Sequence, residues 1–259
     1  MGNDQWTNYW KNGVATSFGS QVPPWYERTL TPFWRDTFSE FPVEEKILDL
    51  ASGNGAVARI AAQVSEEQNK HFKIVAVDKA ALSPAVQEDP FLSGVQFMPD
   101  MPLETLRNLE DQSFHLVVSQ FGIEYSSLDK SLPAVAAVMC PASELVIIAH
   151  HVDSVICKRS RVELQQYREI LVRQPLFEKL SLLVKAMGEI RSKADLKKLA
   201  ARPATEKQRI AFNRVISKLM HKYPEGVVMA DMLSRINPLF RERVSMPVSA
   251  KLGYVQTLE

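Results

Sequence analysis

Ile47-Leu48-Asp49-Leu50-Ala51-Ser52-Gly53-Asn54-Gly55-Ala56-Val57-Ala58 reads as a buried strand, an acid at its end, a turn of small residues and the start of a helix. Gly53 and Gly55 allow the backbone to turn sharply, and they let a ligand approach the amides at the helix N-terminus. The stretch therefore predicts a strand-turn-helix unit with a binding loop at its bend.

Outward from it, short apolar runs alternate with helical stretches. Strands are expected at Lys46–Leu50, Lys73–Val77, Gly94–Met98, Phe114–Ser119 and Glu144–His150, with a helix over Ala56–Val64. Leu, Val and Ile runs without polar alternation suit strands buried on both faces, and strand-helix alternation at this spacing predicts a doubly wound, Rossmann-like α/β sheet. Residues 46–155 form this expected core. Residues 1–45 hold all four tryptophans and six further aromatic residues, and read as an N-terminal aromatic arm with a helix starting at Thr31-Pro32. Residues 156–240 lack strands and read as a helical insertion or lid, with apolar helical spacing at Leu176–Met187 and capping boxes at Ser192–Asp195 and Thr205–Gln208. Residues 241–259 are expected to supply the last two strands, at 243–248 and 253–258.

Gly53-Asn54-Gly55-Ala56-Val57-Ala58 on its own also fits a dinucleotide fingerprint, a weak signal. Three acids decide between the readings. Asp49 at the end of the first strand repels a pyrophosphate but suits a cationic amino-acid group. Asp78 ends the second strand, where a carboxylate can accept both hydroxyls of a ribose. Asp100 follows the third, placed to accept from an adenine amino group. Ligands of open α/β sheets sit outside these strand ends.

With those acids in place, residues 40–152 resemble the class I S-adenosylmethionine-dependent methyltransferases. Ile47–Gly55 resembles their first motif, Asp78 their second, Asp100-Met101 their third, and Val117-Val118-Ser119-Gln120-Phe121-Gly122 their motif after the fourth strand. The resemblance implies S-adenosylmethionine as cofactor. It places the methionine moiety at Asp49, Ala51, Gly53 and Gly55, the ribose at Asp78 with its neighbour Lys79, the adenine at Asp100 and Met101, and Gln120 beside the sulfonium. Ala51 stands where the family has its first glycine.

Methyl transfer needs alignment and desolvation, and a base where the acceptor must lose a proton. Glu124, His150 and His151 follow the fourth and fifth strands and are the candidate bases or substrate contacts; a histidine at a strand end has a suitable pKa. The alternative is that one histidine caps the strand and the other faces solvent. Tyr9, Trp10, Trp25, Tyr26 and Tyr125 are candidates for a lid over cofactor and substrate, since ring faces attract a sulfonium; plain packing is the competing reading for each. The expected acceptor is an oxygen, nitrogen or carbon of a small or carrier-bound molecule.

Composition sets the outer bounds. The 259 residues are 46% hydrophobic and 24% charged, as in ordinary globular proteins. Two cysteines far apart and no metal-ligand spacing point to a reducing cytoplasm and to no metal site. The longest charge-free apolar runs, Leu116–Ile123 and Leu132–Ala142, fall short of the roughly 20 residues that span a bilayer. Net charge is +1, yet residues 1–150 carry ten Lys and Arg against nineteen Asp and Glu, and the rest carry 21 against 11. Arg159, Arg161 and Arg168 are candidates to grip an anionic substrate, against the stronger reading of a solvated helix face. An RNA methyltransferase using this basic half is the alternative function, disfavoured by the lack of a base-flipping motif, a recognised RNA module or a dense basic tract. A nicotinamide oxidoreductase, opposed by Asp49, and a non-catalytic methyltransferase-like binding subunit complete the alternatives.

Overall fold

Alternating side chains of five strands build the sheet from both faces. The computed structural model describes residues 3–14, 16–19, 22–109, 113–190, 192–199, 201–224, 226–241 and 244–258. Strands β1 (Lys46–Leu50), β2 (Lys73–Val77), β3 (Gln96–Met98), β4 (Phe114–Gln120) and β5 (Met139–Ile148) pair in the order β3-β2-β1-β4-β5, all parallel. On one face Ile47, Ile74, Ala76, Leu116 and Val118 pack with Trp34 and Phe38 of α2 (Thr31–Glu40) and with Val57, Ile60, Ala61 and Val64 of α3 (Ala56–Glu67). On the other, Leu48, Leu50, Val75, Val77 and Val117 pack with Ala134, Val135 and Val138 of α4 (Leu128–Val138). A register shift between Phe114 and Leu116 lets β4 change phase, so Phe114 joins the second face. α1 (Asn3–Trp10) and a π-turn over Tyr26–Leu30 complete the arm, and Pro32 sits in the first turn of α2 as its sequence predicts.

Strand order reverses between β1 and β4, because the chain leaves β3 at one edge and re-enters on the far side of β1. In an open α/β sheet that switch point opens a crevice at the carboxyl ends of the strands.

The chain divides at His150/His151 into two units, the same place at which its charge changes sign. The second unit is helical: α5 (Val155–Arg168), α6 (Leu176–Met187), α7 (Lys193–Leu199), α8 (Pro203–Lys222), α9 (Val227–Ile236) and α10 (Val248–Gln256). Its core is its own, gathering Ile170, Leu176, Leu180, Val184, Phe212, Leu219, Met232, Ile236 and Val255.

Two expectations are corrected here. The tail supplies no strand among the described residues, and Arg243 lies outside them; instead Val248, Lys251, Leu252 and Val255 line one side of α10, which packs on α6. Their spacing of i, i+3, i+4 and i+7 is a helical period, and Gly253 does not interrupt it. Thr205 is not a cap, since α8 begins earlier at Pro203 and the Thr205 hydroxyl donates to the Ala186 carbonyl at 3.0 Å. Ser192 does cap α7, accepting from the Asp195 amide at 3.2 Å. β3 starts two residues later than expected, and β5 begins five residues earlier, at Met139.

Candidate functional site

A cavity of about 290 Å³ opens at the switch point, close to the lower end of the roughly 300–1,000 Å³ of small-molecule sites. The end of β1 contributes Asp49, Ala51 and Ser52, the end of β2 Asp78 and Lys79, and the end of β4 Gln120, Phe121 and Gly122. The arm adds Trp6 and Trp10, and Leu103, Glu104 and Tyr125 close the remaining side.

Asp49 shares the face of Ile47, so its carboxylate points toward α3. There Oδ2 accepts the Ala58 amide at 3.0 Å. The residue preceding α3, Gly55, offers no side-chain cap, and Asp49 replaces it across space. Burial pushes the Asp49 carboxyl up to about 8; the Ala58 amide opposes this and the nearby Asp78 adds to it.

Asp78 is held on both oxygens. Oδ2 accepts the Gly53 amide and Oδ1 the Ala80 amide, each at 2.7 Å. Burial raises its pKa, and the two amides hold it back. Each oxygen keeps a further lone-pair direction, so the carboxylate can still accept from a diol.

The loop between β1 and α3 has no room for larger residues. A Cβ at Gly53 (φ +54°) falls 2.4 Å from the Trp10 ring, and one at Gly55 (φ +85°) falls 2.7 Å from Phe97. Asn54 between them is buried. Its Nδ2 donates to the carbonyls of Trp10 (3.0 Å) and Val14 (2.8 Å), and its Oδ1 accepts the Ser83 amide at 3.0 Å. One carboxamide thus ties the arm, the glycine loop and the segment after β2 together. Opposite, the Gln120 carboxamide is equally engaged: Oε1 accepts the Trp34 indole N–H at 2.7 Å, and Nε2 donates to the Tyr26 hydroxyl at 2.8 Å. Burial raises the Tyr26 pKa, partly offset by Gln120, and the Asp49 charge raises it further.

Of the residues singled out from the sequence, Asp49, Ala51, Asp78, Lys79, Gln120, Trp10 and Tyr125 line the cavity. Gly53 reaches it through its amide on Asp78. Asp100 is exposed and Met101 half-buried against the second sheet face, both outside the lining; Pro102, Leu103 and Glu104 take that place, with the Met101 amide donating to the Asp78 carbonyl at 2.9 Å. Tyr26 is buried behind Gln120. Tyr9 bonds the Thr16 carbonyl at 3.3 Å and packs on Trp10, while Trp25 is half exposed with its ring against Phe18. Glu124 accepts the His150 amide at 3.1 Å, and the His150 ring stacks on Phe121 at 4.4 Å. His151 belongs to the second unit, where its Nδ1 accepts the Asp153 amide at 3.1 Å. In the same unit Arg159 pairs with Glu163 at 2.8 Å.

Asn54, Glu104, Trp6 and Phe121 are site residues that the sequence reading did not assign. Glu104 carries a signal as an acid just beyond the third strand, and Asn54 and Phe121 lie inside the motifs of the first and fourth strands without a role assigned to them there. The partners of Asn54 are backbone groups dozens of residues away, which no local pattern reveals.

The lining suits S-adenosylmethionine. It offers a carboxylate for a diol, a buried carboxyl near the loop for an amino group, and ring faces for a sulfonium. A Cβ at Gly53 is also excluded by the ring that would flank the ligand.

No family model matches the chain, and no curated protein matches it. Solved structures do. The YcgJ protein of Bacillus subtilis aligns over 72% of this chain and 81% of its own at 17% identity, TM-score 0.42. A SAM-dependent methyltransferase of Aquifex aeolicus covers 51% and 72% at 17% identity, TM-score 0.41. The precorrin-6y C5,15-methyltransferase of Geobacter metallireducens covers 52% and 69% at 14% identity, TM-score 0.38. By its own parallel order β3-β2-β1-β4-β5 and the cleft at its switch point, the chain has a Rossmann-like α/β fold.

Proposed function

We propose that the chain binds S-adenosylmethionine in the switch-point cavity and transfers its methyl group to a small or carrier-bound acceptor. The observation that carries this reading is the meeting of Asp49, Asp78 and Gln120, from three strand ends, in one cavity with the rings of Trp6, Trp10 and Phe121. The cofactor, when bound, supplies a methyl group already activated by its sulfonium.

The chain's own residues orient and desolvate. Asp78 would receive the ribose hydroxyls. Asp49, driven toward ionisation by a cationic amino group, would hold the amino-acid end. Gln120, fixed by Trp34 and Tyr26, keeps one wall rigid, and the arm excludes water from above the glycine loop. Three carboxyl groups and a single cation, Lys79, line the cavity, so a neutral or cationic acceptor fits it better than an anionic one. Glu124 and His150 lie outside that lining but adjoin it through Phe121, and we assign them the positioning of Phe121.

The test is transfer of label from methyl-tritiated S-adenosylmethionine into a cell extract, separated into low-mass, protein and nucleic-acid fractions. Label in the low-mass or carrier fraction, lost with Asp78→Asn, is expected. Absence of transfer above a heat-killed control contradicts the proposal, and label released by ribonuclease replaces its acceptor with RNA.

A further inference from the structure

Seven of the 21 Lys and Arg residues between 151 and 259 lie along one track of the helical unit. α8 spans 20 residues, about 30 Å of helix. Past Glu206 it contains no acid, and Glu206 is taken by Arg209 through two hydrogen bonds of 2.5 and 2.7 Å. Lys207, Arg214, Lys218 and His221 are exposed. At i, i+7, i+11 and i+14 they fall within about 60° of one another around the axis. No ion-pair partner of theirs occurs among the described residues.

Lys222 extends the track at its C-terminal end. Its Nζ lies 3.1 Å from Glu169, whose other oxygen is 3.6 Å from Arg173. Arg173 in turn borders a groove of about 380 Å³ with Arg161 and Arg168 of α5. Arg161 spends one N–H on the Val152 carbonyl at 2.6 Å, which leaves its charge unbalanced. Arg168 has no carboxylate partner among the described residues. From Lys207 to Arg161 the track holds seven Lys and Arg side chains and one histidine; among the described residues only Lys222 and Arg173 of these have an acidic partner, Glu169.

We propose that this track binds the phosphate backbone of a nucleic acid. A line of cations matches a line of phosphates: along α8 they are separated by about 10, 6 and 5 Å, comparable to one to three nucleotide steps of a strand. Arginines grip phosphate through paired N–H groups, and the α5 groove presents three of them. Two other anionic partners fit less well. Phe212, Val215, Ile216 and Leu219 of α8 are committed to the unit's core, and its exposed large apolar residues, Ile210 and Met220, stand ten positions apart, so the helix has no continuous apolar side to lay into a membrane. A tight interface with an acidic protein draws on aromatic anchors beside arginine, and among the described residues no Trp, Tyr or Phe of this unit is exposed. The proposal stands apart from methyl transfer and does not require the bound polymer to be the acceptor.

Fluorescence anisotropy on the full chain tests it, with a labelled 20-nucleotide RNA of mixed sequence titrated at 50, 100 and 200 mM salt. Labelled poly-glutamate and phosphatidylserine vesicles run alongside. The variant is Lys207→Glu/Arg214→Glu/Lys218→Glu; a charge-matched control in the sheet unit is Arg28→Glu/Lys73→Glu/Lys130→Glu. Binding to RNA is expected to weaken at least tenfold in the α8 variant, with its log-log salt slope shallower by about 2, since each single-strand contact contributes about 0.7. The control variant keeps the parent slope, and both variants keep the parent circular dichroism. Failure of the parent to bind RNA, equal losses in both variants, or equal binding of poly-glutamate or vesicles overturns the proposal. Loss of S-adenosylhomocysteine binding has no bearing on it and is measured separately.

Discussion

Asp49 and Ala58 form the contact on which the binding loop is built: a carboxylate at the end of β1 caps α3 from across the turn, 3.0 Å from the third helical amide. The same carboxyl is buried among apolar strands and raised to about 8, so at neutral pH it carries its proton. One residue therefore serves the fold in its neutral form, and on our reading serves the ligand in its charged form.

That duality sets a pH dependence. Because the folded-state pKa of Asp49 lies above its unfolded value of 3.8, the folded state holds the extra proton, and stability is lost as pH rises from about 4 to about 8. Asp49→Asn keeps an oxygen for the Ala58 amide and removes the titration. Denaturant unfolding at pH 5, 7 and 8.5 is expected to show a flatter pH profile for the variant, which at pH 8.5 exceeds the parent by several kcal/mol. Parallel profiles contradict the assignment. Affinity for S-adenosylhomocysteine should rise more steeply with pH in the parent than in the variant, where only Asp78 of the two acids still titrates.

Asn54→Ala releases the arm. Three buried hydrogen bonds end on this side chain, and leaving their partners unpaired costs about 1–3 kcal/mol. All four tryptophans lie within residues 6–34, and Trp34 is held in the sheet core, so changes in indole quenching report on Trp6, Trp10 and Trp25 of the arm. Acrylamide quenching is expected to increase in the variant while the far-ultraviolet circular dichroism stays unchanged. Quenching equal to that of the parent removes the clamp from the account.

Gln120 is argued to be a fixed wall, not a free side chain. Gln120→Ala strands the Trp34 indole N–H in a fully buried position, whereas Tyr26→Phe removes one acceptor and leaves the indole satisfied. The first substitution should cost about 1–3 kcal/mol and the second about 0.5–1.5 kcal/mol. In a double-mutant cycle the two effects should fall short of adding, because both touch one carboxamide. Full additivity speaks against the shared bond.

Much of this architecture is readable from the chain itself. β1, β2 and β4 are short stretches rich in Leu, Val and Ile without polar alternation, and Pro32, Leu176–Met187 and Ser192 announce their helices by position and period. The acids at the ends of β1 and β2 were found because strand ends are where an α/β sheet meets a ligand. Asp100 shows the limit of that rule: it follows β3, but the backbone turns there with φ +55° and brings Pro102 to Glu104 to the cavity instead. The tail, expected as strands at 243–248 and 253–258, forms α10 instead, because Val248, Leu252 and Val255 meet the apolar side of α6. Asn54 and Gln120 owe their roles to partners 29 to 94 residues away. Such contacts follow from the closed fold and not from any window of sequence.

Calorimetric titration with S-adenosylhomocysteine, with NADH as the competing ligand, tests the central claim most directly. The account predicts one micromolar site for S-adenosylhomocysteine, weakened at least tenfold in Asp78→Ala, and no heat from NADH. A site for NADH in place of the sulfur ligand, or no site for either in protein shown to be folded, contradicts it.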